Sequence, residues 1–149
     1  MIALLDINVL VALLDPAHLN HDDAHAWFAR NRSKGWATCP ITLNGCARVL
    51  SNPAYPTVEA TVDEVTVHLR AMCAGSGHHF WTDSISLLDE RLFQPRKIGG
   101  HQKITDVYLL ALSVANQGRL ATFDRSISLG SVTGAGGQHL EILGDPKSS

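Results

Sequence analysis

The chain has 149 residues, of which 45% are hydrophobic and 17% are charged. Its length favours a single domain with a buried core, and its composition excludes disorder for most of the sequence. The formal net charge of −2 also excludes nucleic-acid binding by bulk positive charge. Any nucleic acid would have to be bound by a local arrangement of residues.

The elements predicted along the chain are short apolar strands that alternate with helices. The predicted strands cover residues 2–5, 36–39, 80–81, 119–122 and, as a short final strand, 140–143. The predicted helices cover residues 9–14, capped by Asn8, then 21–30, 42–50, 57–74, 86–93 and 106–116, the last capped by Thr105 with Gly118 beyond its end. This alternation predicts an α/β fold: a short parallel sheet of four to five strands flanked by helices on both faces.

The remaining segments are predicted to be loops. Residues 94–103 form a polar loop, and the Gly-rich residues 129–138 are expected to form a mobile one. We expect a single domain over residues 1–143 and a flexible tail over 144–149.

Cysteine usage and the start of the chain indicate the compartment. The three cysteines include no CxxC pair, which argues against a disulfide framework or a cysteine–zinc site. Asp6 and Asn8 interrupt the apolar start of the chain, so it does not match a signal peptide. No apolar run approaches the ~18 residues of a membrane span. We therefore expect a soluble, cytoplasmic protein.

Three aspartates stand where parallel α/β folds bind ligands, near the carboxyl ends of the strands. Asp6 ends the first strand, Asp124 follows the fourth, and Asp106 opens the helix that leads into the fourth. Each alone has a plain interpretation as a helix cap, a turn residue or a partner of a helix dipole. Together they would repel one another, and a divalent cation would remove that cost. The all-oxygen set favours Mg²⁺ or Mn²⁺, which can activate water and neutralise a phosphodiester.

Several segments, in their order and spacing, resemble PIN-domain ribonucleases, and among these the VapC toxins of bacterial VapBC toxin–antitoxin pairs. The resemblance covers nearly the whole chain and is carried by Leu5-Asp6-Ile7-Asn8-Val9-Leu10, His21-Asp22-Asp23-Ala24-His25-Ala26-Trp27-Phe28, Pro40-Ile41-Thr42, Arg48-Val49-Leu50, Ile104-Thr105-Asp106-Val107-Tyr108-Leu109-Leu110-Ala111 and Ala121-Thr122-Phe123-Asp124. It implies a PIN-like fold and metal-dependent endonucleolytic cleavage of RNA, with Asp6, Asp106 and Asp124 as catalytic and metal-binding residues. It also implies control by a cognate VapB antitoxin and a tendency to form homodimers.

One position departs from this resemblance. The family normally has a Glu in the short helix after Pro-Ile-Thr, and that position is Leu43 here. Three aspartates can still hold one Mg²⁺ with water molecules, although a weakened metal environment costs about 10- to 100-fold in affinity or activity. The change is either natural or engineered to silence a toxic enzyme. It predicts that Leu43→Glu raises Mn²⁺-dependent RNA cleavage.

Other side chains are candidates for supporting roles. Asn8, as well as capping a helix, is placed to bind Asp6 or a metal-bound water, and Thr105 and Thr122 are placed to contact substrate or the metal shell. The candidate phosphate-binding residues are Arg96, Lys97, His101 and Lys103 in the polar loop, together with Arg48 and Arg125. The alternative is that this loop is simply solvated. The histidines His18, His21 and His25 are spaced for one helix face, but no acid or cysteine completes a zinc set. The bulky aromatics Trp27, Phe28, Trp36 and Trp81 are expected in the core.

Other classes of protein fit the sequence to different degrees. A catalytically weak PIN protein that binds RNA or its antitoxin without efficient cleavage is favoured by Leu43. A phosphotransferase of the haloacid-dehalogenase type would want a second Asp where Asn8 stands, and a receiver domain would want an early acidic pair and a late Lys. Neither of these last two fits as well. The RNA target is not encoded in any pattern that the sequence displays.

Overall fold

The computed structural model describes residues 1–144. Five strands form one sheet in the order β3-β2-β1-β4-β5, and every neighbouring pair is parallel. The strands are β1 (Ala3–Leu5), β2 (Trp36–Thr38), β3 (His78–Phe80), β4 (Arg119–Thr122) and β5 (Leu140–Ile142). The helices are α1 (Ile7–Leu14), α2 (His21–Asn31), α3 (Pro40–Leu50), α4 (Val62–Cys73) and α5 (Ile104–Ala115).

The sheet separates two hydrophobic cores, which confirms the prediction of helices on both faces. Leu5 of β1 joins the core formed with α1 to α4. Leu4, the next residue back, points to the other face and joins the core formed with α5. This alternation follows from the two-residue period of a strand. The four bulky aromatics expected in the core are buried.

The start of α1 differs from the sequence prediction. The helix begins at Ile7, and Asp6 is its N-cap, with a carboxylate oxygen that accepts a hydrogen bond from the Ile7 amide at 2.7 Å. Asn8 is therefore not the helix cap. Its side chain instead bonds to the end of β4, through the Thr122 hydroxyl and the Phe123 amide. The first helix and the fourth strand are tied together at the carboxyl edge of the sheet.

The fourth helix is shorter than predicted because its expected first turn is bound elsewhere. Helix α4 begins at Val62, and the Thr61 hydroxyl caps it by accepting from the Glu64 amide. The Thr57 hydroxyl, upstream, donates to Asp15 at 2.6 Å. This contact with the end of α1 holds the segment before α4 out of the helix.

Three other predictions about helices are wrong. Residues 86–93 form turns rather than a helix, because their apolar side chains do not share a face: Leu88 is 87% exposed while Phe93 is buried. Helix α5 starts at Ile104 after Lys103, so Thr105 lies inside it rather than at its cap. At its other end the left-handed residue is Gln117, at φ 57°, and not Gly118.

The loop and tail predictions have mixed outcomes. Residues 129–139 contain two short 3₁₀ turns, Leu129–Ser131 and Gly137–His139. The mobility expected for this loop stays a prediction. The predicted tail lies outside the described residues from position 145 onward. Among residues 1–144, every helix is too short or too polar to cross a lipid bilayer.

The end of α1 holds a buried carboxylate that predicts an acid-sensitive contribution to stability. Asp15 is fully buried and accepts hydrogen bonds from the Tyr55 hydroxyl at 2.5 Å, the Thr57 hydroxyl at 2.6 Å and the Ala17 amide at 2.9 Å. Burial alone would raise the pKa of Asp15, but these donors outweigh it and the pKa is lowered. The folded state therefore favours the ionised form.

We expect Asp15→Asn to lower the free energy of unfolding at neutral pH by about 3 kcal/mol, the contribution of hydrogen bonds to a charged group. Because the pKa of Asp15 is lowered on folding, this contribution is present above about pH 4, the unfolded value, and is lost as the pH falls further. Urea unfolding at pH 7 and pH 3 checks the prediction. A difference between wild type and variant that stays the same at both pH values would contradict it.

Candidate active site

The three aspartates line one cleft at the carboxyl ends of β1 and β4. The cleft has a volume of about 710 Å³. Asp6 enters it from the end of β1, Asp106 from the first turn of α5, and Asp124 from the loop after β4. The structure thus brings together residues that are distant in the sequence. Asp6 is 100 positions from Asp106, and helix α5 and strand β4 lie between Asp106 and Asp124.

Asp6 is fixed by the element that it caps and by the neighbouring strand. Only 3% of Asp6 is exposed. One carboxylate oxygen accepts from the Ile7 amide, and the other accepts from the Thr122 hydroxyl at 2.8 Å. Burial raises the pKa of Asp6, and the charge of Asp124 adds to that rise. The carboxylate is therefore held in one orientation at an electrostatic cost.

The buried Thr122 hydroxyl connects both strand-end aspartates. Besides donating to Asp6, its oxygen accepts from the Asp124 amide at 3.0 Å and from the Asn8 side chain at 3.2 Å. The hydroxyl is thus committed to protein partners. Thr122 and Asn8 position the acidic residues, and the expected contact of Asn8 with the Asp6 side chain is replaced by this link through Thr122.

Asp124 faces the cleft from a tight turn. One of its oxygens accepts from the Ser126 amide at 2.8 Å and from the Ser126 hydroxyl at 2.6 Å, and the other lies 3.5 Å from the Lys103 ammonium. Burial opposes ionisation, but these contacts outweigh it and lower the pKa of Asp124. Asp124 is therefore anionic at neutral pH.

Asp106 has the opposite environment. Burial, followed by the charges of Asp6 and Asp124, raises the pKa of Asp106 to about 7. Three carboxylates in one cleft are thus mutually unfavourable, as expected from the sequence. A perturbed carboxyl in a cleft is a common mark of a functional site.

The aspartates fit a hydrated hard cation better than an enclosed one. Within residues 1–144, no group of three or more His, Cys, Asp or Glu side chains converges closely enough to enclose a metal ion. The three carboxylates nevertheless share the cleft and repel one another. Mg²⁺ keeps several water ligands and needs only one or two direct carboxylates. The donor chemistry and the open geometry therefore suit such an ion.

Leu43 does not lie with the three aspartates. Its side chain packs against the core on the other side of α3 and lines a separate groove with Leu69, Arg70 and Phe80. Asn44 and Arg48 are the polar residues of α3 that face the acidic cleft, and Asn44 also borders the groove that Leu43 lines. The geometry therefore gives no support to a metal ligand at position 43, where the resemblance places a Glu. Whether Leu43 weakens the centre stays a prediction, which the following variants test.

We accordingly expect Leu43→Glu to leave Mn²⁺-dependent cleavage unchanged within about twofold, the reverse of the sequence-based prediction. Asn44→Glu is the matched variant, because it adds a carboxylate on the cleft side of the same helix. We expect it to lower the Mn²⁺ concentration for half-maximal cleavage by about tenfold. Metal titrations of the cleavage rate check both variants. A gain of activity in the Leu43 variant alone would contradict this placement.

The candidate basic residues divide into two groups. Arg48 lines the acidic cleft, while Lys97 and Lys103 line a small adjoining pocket of about 100 Å³ with Ser126, Ser128 and Asp106. Arg96 and His101 line neither cavity and are exposed, and Arg125 donates to the Gly144 carbonyl instead. Thr105 faces the acidic cleft from the first turn of α5.

The histidines serve α1 rather than a metal. His21 and His25 each contact a carbonyl in the last turn of that helix, that of Ala12 at 2.7 Å and that of Leu13 at 2.9 Å. These carbonyls have no partner within the helix. His18 instead accepts from the Asn20 amide with its Nδ1. The spacing of His21 and His25 on one face of α2 thus allows both side chains to cap the C-terminal end of α1.

Sequence reasoning missed two polar residues of the cleft, Asn44 and Tyr55, besides its apolar lining. Asn44 follows Leu43 directly, and only the helix phase distinguishes their directions. Tyr55 stands between Pro53 and Pro56 in a segment without periodicity, and its place depends on the contact with Asp15. No local pattern predicts that contact.

Comparison with known proteins gives a consistent set of relatives. The chain is 44% identical over 143 residues to Ribonuclease VapC44 of Mycobacterium tuberculosis, covering 96% of this chain and 100% of the relative. It is 40% identical over 128 residues to Ribonuclease VapC39 of the same organism, covering 86% and 92% of the two chains. Ribonuclease VapC38 is 41% identical over 128 residues, with 84% and 86% covered. No protein-family model matches the chain.

The fold has a counterpart among solved structures. The crystal structure of M. tuberculosis VapC20, described as a sarcin–ricin loop cleaving toxin, superimposes with a TM-score of 0.53 at 12% identity. It covers 78% of this chain and 85% of the VapC20 chain. This likeness shows the shared PIN-like fold.

The fold and the position of the acidic cleft define an α/β domain of the PIN-like class. The identity to full-length relatives shows the family more narrowly: this chain belongs to the VapC ribonucleases. The resemblance read from the sequence segments is thereby confirmed.

Proposed function

We propose that this protein is the toxin of a type II toxin–antitoxin pair and acts as a Mg²⁺- or Mn²⁺-dependent endoribonuclease. The observation that carries the proposal is the convergence of Asp6, Asp106 and Asp124 in one open cleft of a VapC-family chain. Ribonuclease activity is supported by relatives such as Ribonuclease VapC44. A toxin role is supported by the shared fold of VapC20, a toxin that cleaves the sarcin–ricin loop.

The reaction is hydrolysis of an RNA phosphodiester. A divalent cation held by the three aspartates would activate a water molecule and neutralise the developing charge on the phosphate. Addition of water breaks one P–O bond, and the products carry a phosphate monoester and a free hydroxyl. Attack by the neighbouring 2′-hydroxyl would instead leave a cyclic phosphate, so the product ends report which group attacks.

The chain's own residues orient this centre. Thr122 holds the Asp6 carboxylate and the Asp124 backbone at a fixed separation, and Asn8 braces Thr122 from α1. Ser126 holds one oxygen of Asp124 and leaves the other facing Lys103. Rigid placement of groups before the reaction is what lowers the barrier in such sites.

Cationic residues around the cleft would bind RNA phosphates. Arg48 faces the cleft itself, and Lys97 and Lys103 converge with Ser126 and Ser128 beside Asp106. Ammonium and hydroxyl groups are suitable donors to phosphate oxygens. Arg96 lies on the same loop and would add long-range attraction, and His101 would add a hydrogen-bonding imidazole.

Membership of the VapC family also supports a proposal about the binding partners of this protein. A VapB-type antitoxin would hold the toxin inactive in the cytoplasm, and a homodimer is the assembly that we propose. We propose RNA as the substrate whether the chain acts as a monomer or as a homodimer.

The test incubates the purified chain with a panel of synthetic RNAs and Mn²⁺, and maps the product ends by sequencing and mass spectrometry. We expect discrete cuts, ends without cyclic phosphate, and no cleavage in EDTA. Binding of RNA without cleavage would instead support the second candidate, a catalytically weak member of the family.

We expect Lys97→Ala to weaken RNA binding and to reduce the slope of log affinity against log salt by about 1, as for the loss of one phosphate contact. Lys34→Ala is the matched control, since Lys34 lies beside Met1 and Gly35 at the opposite end of the strands. Fluorescence anisotropy in the Asp106→Asn background, at several salt concentrations, measures both. Equal slopes for the two lysine variants would contradict a phosphate contact at Lys97.

A further inference from the structure

The acidic cleft continues well beyond the aspartates. It follows α1 from Asp6 at the N-terminal end, past Val11, to His18 and Tyr55 near the C-terminal end. A helix of eight residues, as α1 is, spans about 12 Å. The far end of the cleft therefore lies about one length of α1 away from the three aspartates.

Tyr55 is held at this far end by a buried anion. Its hydroxyl donates to the Asp15 carboxylate at 2.5 Å, and Thr57 donates to the same oxygen at 2.6 Å. Asp15 is fully buried beneath the loop and plays no part in the chemistry described above. The loop between α3 and α4 is thereby clamped to α1, and Tyr55, partly packed against the core, forms part of the wall of the cleft.

The residues of this wall combine the groups that bind a nucleobase: an aromatic ring, apolar surface and a nearby cation. The hydroxyl of Tyr55 is already engaged, so the part of Tyr55 that serves the cleft is its ring. Val11 and Val49 provide apolar surface next to it, and Arg48 provides a cation for the backbone phosphate. Unpaired RNA bases are commonly recognised by stacking on aromatic side chains, with cations on the phosphates. A base within a duplex would not be available to such a wall.

We propose that the Tyr55 end of the cleft is a subsite for an unpaired base flanking the cleaved bond, and that Asp15 is the positioning residue that holds it. This inference rests on the proposed function, since it assigns a role to a second part of the same cleft.

The experiment compares an RNA that the wild type cleaves with copies that lack one base at each position within three nucleotides of the cut. For the wild type, we expect loss of one of these bases to raise KM by about tenfold with kcat unchanged, from the loss of one stacked base. Tyr55→Leu should cleave the intact and the abasic RNA alike. Tyr55→Phe keeps the ring but loses the bond to Asp15, and should restore the preference with a KM raised by about fivefold.

Two controls separate this role from a structural one. Phe80→Leu removes an exposed ring outside the cleft and should keep the preference of the wild type. Thermal unfolding of each variant identifies any that fail to fold. If Tyr55→Leu does not fold, the comparison of Tyr55→Phe with the wild type tests the inference. A wild type indifferent to every missing base, or a Tyr55→Leu variant with unchanged preference, would overturn the inference while leaving the ribonuclease in place. A wild type that cleaves no RNA would overturn the proposed function and the subsite with it.

Discussion

Replacing Asp106 by Asn is expected to reduce RNA cleavage by about 100-fold or more and, at the same time, to stabilise the metal-free protein. The first effect follows from losing a carboxylate of the centre that stabilises charge in the transition state. The second follows from the electrostatics of the cleft. Burial and the charges of Asp6 and Asp124 disfavour ionisation of Asp106, and Asn carries no charge to be repelled. We expect the melting temperature in EDTA to rise by about 3 °C.

Asp22→Asn is the matched control for this variant. Asp22 is an exposed acid in the first turn of α2, outside the cleft. We expect wild-type cleavage from it and no gain in stability. Loss of activity in the Asp106 variant together with a lower melting temperature would mean that Asp106 is a structural residue, and would contradict its role in the centre.

Divalent cations are expected to stabilise the wild-type chain strongly. A ligand that binds only the folded state stabilises it by about 2.7 kcal/mol at a concentration 100 times its Kd. For a chain of this size, that corresponds to a rise of about 8 °C in the melting temperature. The physical reason is that the cation neutralises the mutual repulsion of Asp6, Asp106 and Asp124. Differential scanning fluorimetry over a range of Mg²⁺ and Mn²⁺ concentrations measures the shift.

The Asp106→Asn variant serves as the control for the metal experiment. We expect its melting temperature to respond to Mn²⁺ by less than about a quarter of the wild-type shift, because one carboxylate and much of the repulsion are gone. Magnesium sulfate and sodium sulfate at equal ionic strength separate binding from general salt effects. An equal shift in the variant would place the cation away from the three aspartates.

The parts of the fold that were predictable from sequence are those with a strong local pattern. The strand Arg119–Thr122 was predicted with its observed bounds, and the two strand-end aspartates, Asp6 and Asp124, followed from one rule about parallel sheets. Asp6, Asp106 and Asp124 are far apart in the chain, yet each follows or precedes a strand that the apolar pattern marks. Family resemblance supplied the chemistry that those positions alone do not specify.

The parts that were not predictable depend on tertiary contacts. Thr57 is a residue type that often begins a helix, but its hydrogen bond to Asp15 holds it in a loop. Asn8 is a residue type that often caps helices, but Asp6 is the N-cap of α1, and the Asn8 side chain bonds to the end of β4. Leu43 and Asn44 are neighbours, and only the packing of α3 decides which of them faces the cleft. Side-chain direction on a short helix is set by its neighbours, which a single sequence does not display.

The measurement that tests the central claim most directly is the rate of cleavage of one synthetic RNA as a function of Mn²⁺ concentration, for the wild type and for Asp6→Asn. Asp6 is the most deeply buried of the three aspartates, and it is fixed by the helix that it caps and by the end of β4. We predict a saturable rise in rate for the wild type and no measurable rise for the variant, although both remain folded. Equal rates for the two proteins, or undiminished cleavage by the wild type in EDTA, would contradict a metal-dependent centre at these aspartates.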